Sequence, residues 1–279
     1  MPELAEVEFI RKRWNPGLKQ KVERVLLHPA ASVFRGCNSA LLEDRLTRAT
    51  LLSSAAAAKQ MLFRFSSDAW LGIHLGMTGE LSVQPADFAL RKQDHLVLRQ
   101  HGRSLVFSDH RMFGRIQYST GPTAPAWWTS IAPAILSDAF TVEAVATFLR
   151  RRARSPIKAV LLMQERFPGV GNWMADEILW RAAIHPKQPA GSLTPTQVKM
   201  LHKECRWVCR QALKIVGGES DTLQDPPKTW LFPHRWEDGG RDPMTGAKLL
   251  REQVGGRTTC WSPARQKLNR VDARSNEDC

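Results

Sequence analysis

The chain changes its hydrophobic period near its middle, across a segment rich in Pro, Ala and Trp between Gly121 and Pro133. Before it, short apolar runs alternate with turn residues; after it, apolar residues recur at the three- and four-residue spacing of helices. A single pattern cannot serve both, so a boundary falls there. With 279 residues, 43% of them hydrophobic, the chain has material for two or three cores. The division read from the sequence is 1–130, 131–218 and 219–279.

The strand-rich part offers candidate strands at 22–27, 59–65, 70–75, 96–99, 105–107 and 115–118, with a hairpin turn at His101-Gly102-Arg103. Closely spaced short strands predict a β-sandwich or barrel. Ahead of them Val7, Ile10 and Trp14 share one helical face, so residues 3–14 read as an amphipathic helix stopped by Asn15-Pro16-Gly17. In the helical part, Val142, Val145, Phe148 and Leu149 make one apolar face. Ser155-Pro156 opens a second helix through Leu162. Phe167-Pro168-Gly169-Val170-Gly171-Asn172 leads into a helix over 173–183 with Asn172 as its cap, and Thr194-Pro195 opens a long one. N–H groups at such a helix entry suit a phosphate, although many helix entries look alike. Beyond Trp230 the chain is basic and turn-rich. Met244-Thr245-Gly246-Ala247 reads as the turn of a hairpin whose return strand carries Gly255-Gly256-Arg257, and 275–279 reads as a frayed end.

Forty Lys and Arg against 27 Asp and Glu leave a formal charge of +13. Such an excess favours a polyanionic partner, nucleic acid first, because every phosphate neutralised releases counterions. No apolar run reaches the 18 residues of a membrane span, and the first thirty residues are charged throughout, so the expectation is an intracellular protein. Cys37, Cys205, Cys209, Cys260 and Cys279 contain no CxxC pair and read as reduced thiols, with Cys205 and Cys209 packing on a helix.

The first residues carry chemistry. Removal of Met1, which a small second residue permits, leaves the secondary amine of Pro2 beside Glu3. An α-amino group has a pKa of roughly 7.7 to 8.0, so a good fraction is neutral near pH 7. A secondary amine attacking a carbonyl-like carbon gives an iminium, which acidifies the neighbouring C–H. Glu3 and Glu6 are placed to donate or accept the protons involved. Read alone, a proline and acidic residues at a helix start are commonplace.

Several stretches in fixed order resemble the formamidopyrimidine-DNA glycosylase and endonuclease VIII family: Pro2-Glu3-Leu4-Ala5-Glu6-Val7-Glu8, Lys59 before a strand, Leu75-Gly76-Met77-Thr78-Gly79, Asp109-His110-Arg111-Met112-Phe113-Gly114, Gly169 through Glu177, and Gly255-Gly256-Arg257. Together they cover nearly the whole chain. The resemblance implies an α+β multidomain fold: an N-terminal β-sandwich, a helix-two-turn-helix domain and a C-terminal β-hairpin finger, clamped as a monomer on double-stranded DNA with damaged bases or abasic sites. It implies a bifunctional glycosylase and abasic-site lyase that flips the lesion out, with Pro2 as nucleophile and Glu3, Glu6 and Lys59 in the catalytic group. Lys59, Asn172 and Arg257 are implied to hold the flanking phosphates, and Met77, Arg111 and Phe113 to fill the void in the stack.

The sequence also departs from the family. Ala5, His110, Met112 and Met163 replace commoner residues. The family's zinc finger holds four cysteines as C-x2-C-x16-C-x2-C; alignment on Gly255-Gly256-Arg257 puts Asp242, Thr245, Ser262 and Arg265 there, so a zincless finger with no metal and no other cofactor is expected. An Asp242–Arg265 ion pair is the expected replacement. For substrate, the void-filling set suggests 8-oxoguanine and formamidopyrimidines, while the short, proline-stiffened stretch 219–228 and the zincless finger suggest further-oxidised guanines or the oxidised pyrimidines of endonuclease VIII-like enzymes. A lesion-binding or architectural DNA-binding protein without catalysis is the competing class.

Overall fold

A computed structural model describes residues 1–268 other than Pro29. The expected fraying of 275–279, and Cys279 with it, lies outside the described residues. The chain forms two compact units: Met1–Ile131 with Val216–Leu223, and Ala132–Ile215 with the chain from Gln224 onward.

The first unit opens with helix α1 (Leu4–Lys12), followed by β1 (Val22–Leu27), α2 (Ser39–Leu46), β2 (Leu51–Ala57), β3 (Gln60–Phe65), β4 (Ala69–His74), β5 (Glu80–Pro85), β6 (Asp94–Gln100), β7 (Arg103–Ser108), β8 (Arg115–Thr120) and the short α3 (Ala126–Thr129). Its strands make two antiparallel four-stranded sheets, β1-β6-β7-β5 and β2-β3-β4-β8. Val25, Phe63, Phe65, Leu71, Ile73, Leu96, Leu98, Leu105 and Phe107 belong to one buried cluster between them, the sandwich core. α1 buries Ala5, Val7 and Phe9. Trp14 just beyond it packs on Phe63 with ring centroids 4.8 Å apart, which fixes the N-terminal helix to the sandwich.

Four elements of this unit escape the sequence pattern: α2, β2, β5 and the short α3. β2 reads Leu-Leu-Ser-Ser-Ala-Ala-Ala, better helix formers than strand formers, and is held extended by pairing along the whole of β3. The β6–β7 turn is a two-residue loop, His101-Gly102, closed by the Gln100–Arg103 pair, with Gly102 at φ +70°.

In the second unit α4 (Val142–Arg151), α5 (Ile157–Leu161), α6 (Asn172–Arg181) and α7 (Pro195–Ile215) precede the hairpin β9 (Leu250–Val254) and β10 (Arg257–Trp261). α6 is buried from Trp173 to Trp180 and packs on α7 and β10, so it is the spine of the unit. α7 starts as expected: Thr194 Oγ1 accepts the Gln197 N–H, and Gln197 Oε1 accepts the Thr194 N–H. Cys205 and Cys209 are buried on α7.

Three local expectations are corrected. Gly171, extended and with no side-chain cap, precedes α6, and Asn172 is its first residue, with its amide nitrogen turned to the Thr258 carbonyl. Pro156, not Ser155, stands at the cap of α5. The finger turns at Gly255-Gly256, whose φ values of +61° and +73° suit the tightest hairpin turn, and not at 244–247. Residues 242–247 close their own tight loop, with the Asp242 N–H on the Ala247 carbonyl and the Gly246 N–H on the Asp242 carbonyl.

Candidate active site and nucleic-acid interface

The residues singled out from sequence fall into two groups, one on each unit. Pro2, Glu3, Glu6, Lys59, Met77, Arg111 and Phe113 belong to the first; Asn172 and Arg257 belong to the second.

At the start of α1, Glu3 is the cap and only 4% exposed. Its carboxylate accepts the Glu6 N–H while Glu6 Oε2 accepts the Glu3 N–H at 3.1 Å, a reciprocal box that fixes both side chains. Pro2, directly ahead, is held by a rigid neighbour on its C-terminal side. Glu6 is thereby a brace for Glu3. Lys59 stands in the two-residue loop between β2 and β3, with Ala58 at φ +54° before it. Its charge is felt at His74: burial above all, then Lys59 and Arg35, lower the imidazole's pKa. Sequence reading missed this histidine and Arg35. The available signal was a histidine directly before the Leu75-Gly76-Met77 stretch.

The void-filling candidates come together on two loops clamped at their roots. Gly76 sits at φ +60°, and a Cβ there would lie 2.4 Å from the Phe113 carbonyl carbon, so the loops touch backbone to backbone. Asp109, 1% exposed, accepts from Thr78 Oγ1 at 2.6 Å, the Arg111 N–H at 3.2 Å and the Gly114 N–H at 2.7 Å. Arg35 donates to the Gly114 carbonyl at 2.9 Å and Ser32 to the Met112 carbonyl at 3.1 Å. From this braced base Met77 and Phe113 project half-exposed. The Arg111 guanidinium lies over the Phe113 ring, 4.6 Å from its centroid. Exposed apolar side chains on a rigid base suit insertion into a base stack.

In the second unit the Asn172 amide donates to the Thr258 carbonyl at 2.9 Å, which joins the start of α6 to the residue after Arg257. Arg257 itself is exposed at the head of β10. Beneath them lies a fully buried ionic network absent from the sequence reading. The Lys158 ammonium bonds the Asn172 carbonyl at 2.7 Å and pairs with Asp176 Oδ1. Asp176 Oδ2 accepts from Arg235 at 2.6 Å and from the Cys260 N–H at 3.0 Å. Helix, hairpin and the 230s segment are thus held by one carboxylate. Gly255 approaches α5 so closely that a Cβ would meet the Ala159 Cβ at 2.7 Å.

The four aligned finger positions do not fit zinc. Asp242 and Ser262 are buried, but Asp242 Oδ1 is engaged by the Met244 N–H at 2.9 Å, and only one of the four side chains is a zinc-type donor. The expected Asp242–Arg265 pair is also corrected: among the described residues no ion pair joins them. Arg265 lies over the Trp180 ring at 5.2 Å and reaches the Trp180 carbonyl, because the aromatic face offers a guanidinium contact without desolvating a second charge.

A helix-led β-sandwich joined to a helical unit that ends in a β-hairpin defines the fold of formamidopyrimidine-type DNA glycosylases. The profile of the formamidopyrimidine-DNA glycosylase N-terminal domain matches residues 1–116, and that of its H2TH domain residues 131–224. The formamidopyrimidine-DNA glycosylase of Thermus thermophilus is 34% identical over 279 residues, spanning 95% of this chain and 98% of that protein. The crystal structure of the Lactococcus lactis enzyme bound to DNA containing an abasic site matches with a TM-score of 0.81 at 26% identity, over 95% of this chain and 99% of that one. The same enzyme bound to DNA with an oxidised pyrimidine matches with a TM-score of 0.85 at 26% identity, over 95% and 100%. The chain belongs to the formamidopyrimidine-DNA glycosylase family. No helix among the described residues is long and apolar enough to cross a membrane.

Proposed function

We propose that this DNA glycosylase of base excision repair works through the amine of Pro2, exposed by removal of Met1, and combines base excision with cleavage of the strand. The Pro2 nitrogen attacks C1′ of a flipped nucleotide, Glu3 protonates the ring oxygen, and the base leaves with the bonding pair of its glycosidic bond. The opened sugar carries a C1′ iminium, which makes the C2′ hydrogen acidic. Loss of that proton expels the 3′ phosphate; a second elimination expels the 5′ phosphate and leaves a one-nucleotide gap. Lys59, Asn172 and Arg257 take the flanking phosphates, and Met77, Arg111 and Phe113 occupy the space left by the base.

The observation that carries this reading is the setting of the terminus: Pro2 directly precedes a carboxylate that is buried, braced by Glu6 and mounted on a helix packed into the sandwich. A protein that only binds lesions has no use for that arrangement. The preferred lesions are formamidopyrimidines and further-oxidised guanines. In support, the stretch after α7 is drawn onto α1, with Lys12 donating to the Gly217 carbonyl at 2.8 Å and Arg13 to the Asp221 carbonyl at 2.7 Å. A short, tethered segment favours bulky or non-planar bases over one flat purine. Oxidised pyrimidines are the second reading, in line with the Lactococcus lactis complex. The finger is proposed to work without metal, since its donor set does not suit zinc.

Borohydride trapping tests the mechanism. Protein whose terminus is verified by mass as Pro2 is expected to form a covalent adduct with a duplex containing one abasic site, and a version extended at the N-terminus to form none. Absence of an adduct from the verified protein overturns the lyase reading.

A further inference from the structure

The β6–β7 ladder slips at His95: Asp94 pairs with Ser108, while the next registered pair is Leu96 with Phe107. His95 is therefore the extra residue of a bulge, and a bulge re-aims a side chain relative to the plain alternation of a strand. Here the re-aimed imidazole is 2% exposed, and its Nε2 lies 2.8 Å from the carbonyl oxygen of Asp109. A carbonyl only accepts, so Nε2 carries the proton of this bond. Among the described residues no group bonds Nδ1, and the ring's one polar bond there is to Asp109. The His28 ring covers it, 5.6 Å away and 22° from parallel. The Asp109 N–H donates in turn to the Gln93 carbonyl at 3.0 Å. Both backbone polar groups of Asp109 are thus tied to the start of β6, the carbonyl also accepting the Met112 N–H of its own loop at 3.2 Å.

We propose that His95 is a positioning residue for damage recognition in duplex DNA: its Nε2–H fixes the Asp109 carbonyl and, through it, the loop that presents Arg111 and Phe113. This rests on the void-filling reading given above. The Asp109 carboxylate ties the loop to Thr78 and Gly114, but a carboxylate can swing about its own side chain. The carbonyl sets the direction in which the main chain leaves β7, and that direction decides where the Arg111–Phe113 pair stands.

The bond geometry supplies the test. In His95→Gln the amide nitrogen is as many bonds from Cα as Nε2 is, so the donor is restored; in His95→Asn it falls at the place of Nδ1 and misses the carbonyl. Cleavage at an abasic site is measured in a duplex and in the same oligonucleotide as a single strand, which has no opposite base and no void to fill. His95→Asn is expected to lose roughly 10- to 100-fold in kcat/KM on the duplex, the loss expected of one buried hydrogen bond. On the single strand it stays within about twofold, and His95→Gln recovers most of the duplex activity. Single-strand activity also reports that the variant is folded. Equal losses on both substrates, or a glutamine variant no better than asparagine, overturn the positioning role. A parent protein that cleaves neither substrate overturns the catalytic reading itself.

Discussion

The hydroxyl of Thr78 donates to Oδ1 of Asp109 at 2.6 Å, across two loops that are 31 residues apart in the chain. This bond joins the loop carrying Met77 to the loop carrying Arg111 and Phe113, so the three candidate void-fillers stand on one base. Thr78→Val keeps the shape and removes the donor, leaving Oδ1 with only the 3.2 Å bond from the Arg111 N–H. The cost of an under-satisfied buried carboxylate is about 1–3 kcal/mol. Denaturant unfolding should show that loss, excision from duplex should fall with it, and Thr78→Ser should restore both.

Arg257 is exposed at the head of β10 and has its neighbour Thr258 tied to Asn172, a placement suited to a phosphate and not to a base edge. Arg257→Ala should therefore weaken binding alike for every sequence context. The slope of log Kobs against log[salt] should become shallower by about 0.9, one phosphate's worth of counterion release. A sequence-dependent loss with the slope unchanged contradicts the assignment.

Legibility in the sequence followed periodicity. α1, α4 and α7 could be read because apolar residues alone set their faces, and the strands rich in Val, Leu and Phe could be read for the same reason. β2 could not, since its alanine-rich composition leans towards a helix and only pairing with β3 holds it extended. Among the site residues, those inside continuous motifs were readable. His74 was not, because its place near Lys59 depends on how β3 and β4 pair, and Arg35 was not, because it acts on His74 from a loop outside the sheets; neither was the Lys158–Asp176–Arg235 network, whose members are far apart in sequence. The finger was misread at its turn because two positive φ values, not a turn-like composition, select the turn site.

Glu177 lies fully buried on α6, where its carboxylate accepts from Arg181 Nε at 2.8 Å and from the Leu231 N–H at 2.8 Å. Burial nevertheless outweighs these bonds and raises its pKa from 4.5 to about 7. Between those values the native state binds more protons than the unfolded chain, so this group's contribution to stability falls as pH rises from about 4.5 to 7. Glu177→Gln removes the titration. Relative to the parent, the variant should gain roughly 2 kcal/mol between pH 5 and pH 7.5. Melting of both proteins across that range is the measurement, and a constant difference between them refutes the assignment.

Asp242 takes the opposite sign, and its prediction bears on what holds the finger. Burial opposes its ionisation, but the side chains of Ser262, Trp180 and Thr245 and the Met244 N–H together lower its pKa. The Met244 bond is well formed at 2.9 Å, while Ser262 Oγ and Trp180 Nε1 face the carboxylate from just outside hydrogen-bond geometry. These groups gather the 242–247 loop, the end of β10 and α6 around one anion, where the family's zinc form gathers four thiolates. A depressed folded pKa stabilises above the unfolded value near 3.9, and that contribution is lost as pH falls through the folded value. Asp242→Asn should therefore destabilise at pH 7, with the difference from the parent shrinking only as pH falls below about 4 and through the lower folded value. Arg265→Met, which removes the contact on the Trp180 ring and the bond to its carbonyl but no ion pair with Asp242, should leave the pH dependence unchanged. If chelation by EDTA lowers the melting temperature of the parent, a metal and not this carboxylate holds the finger.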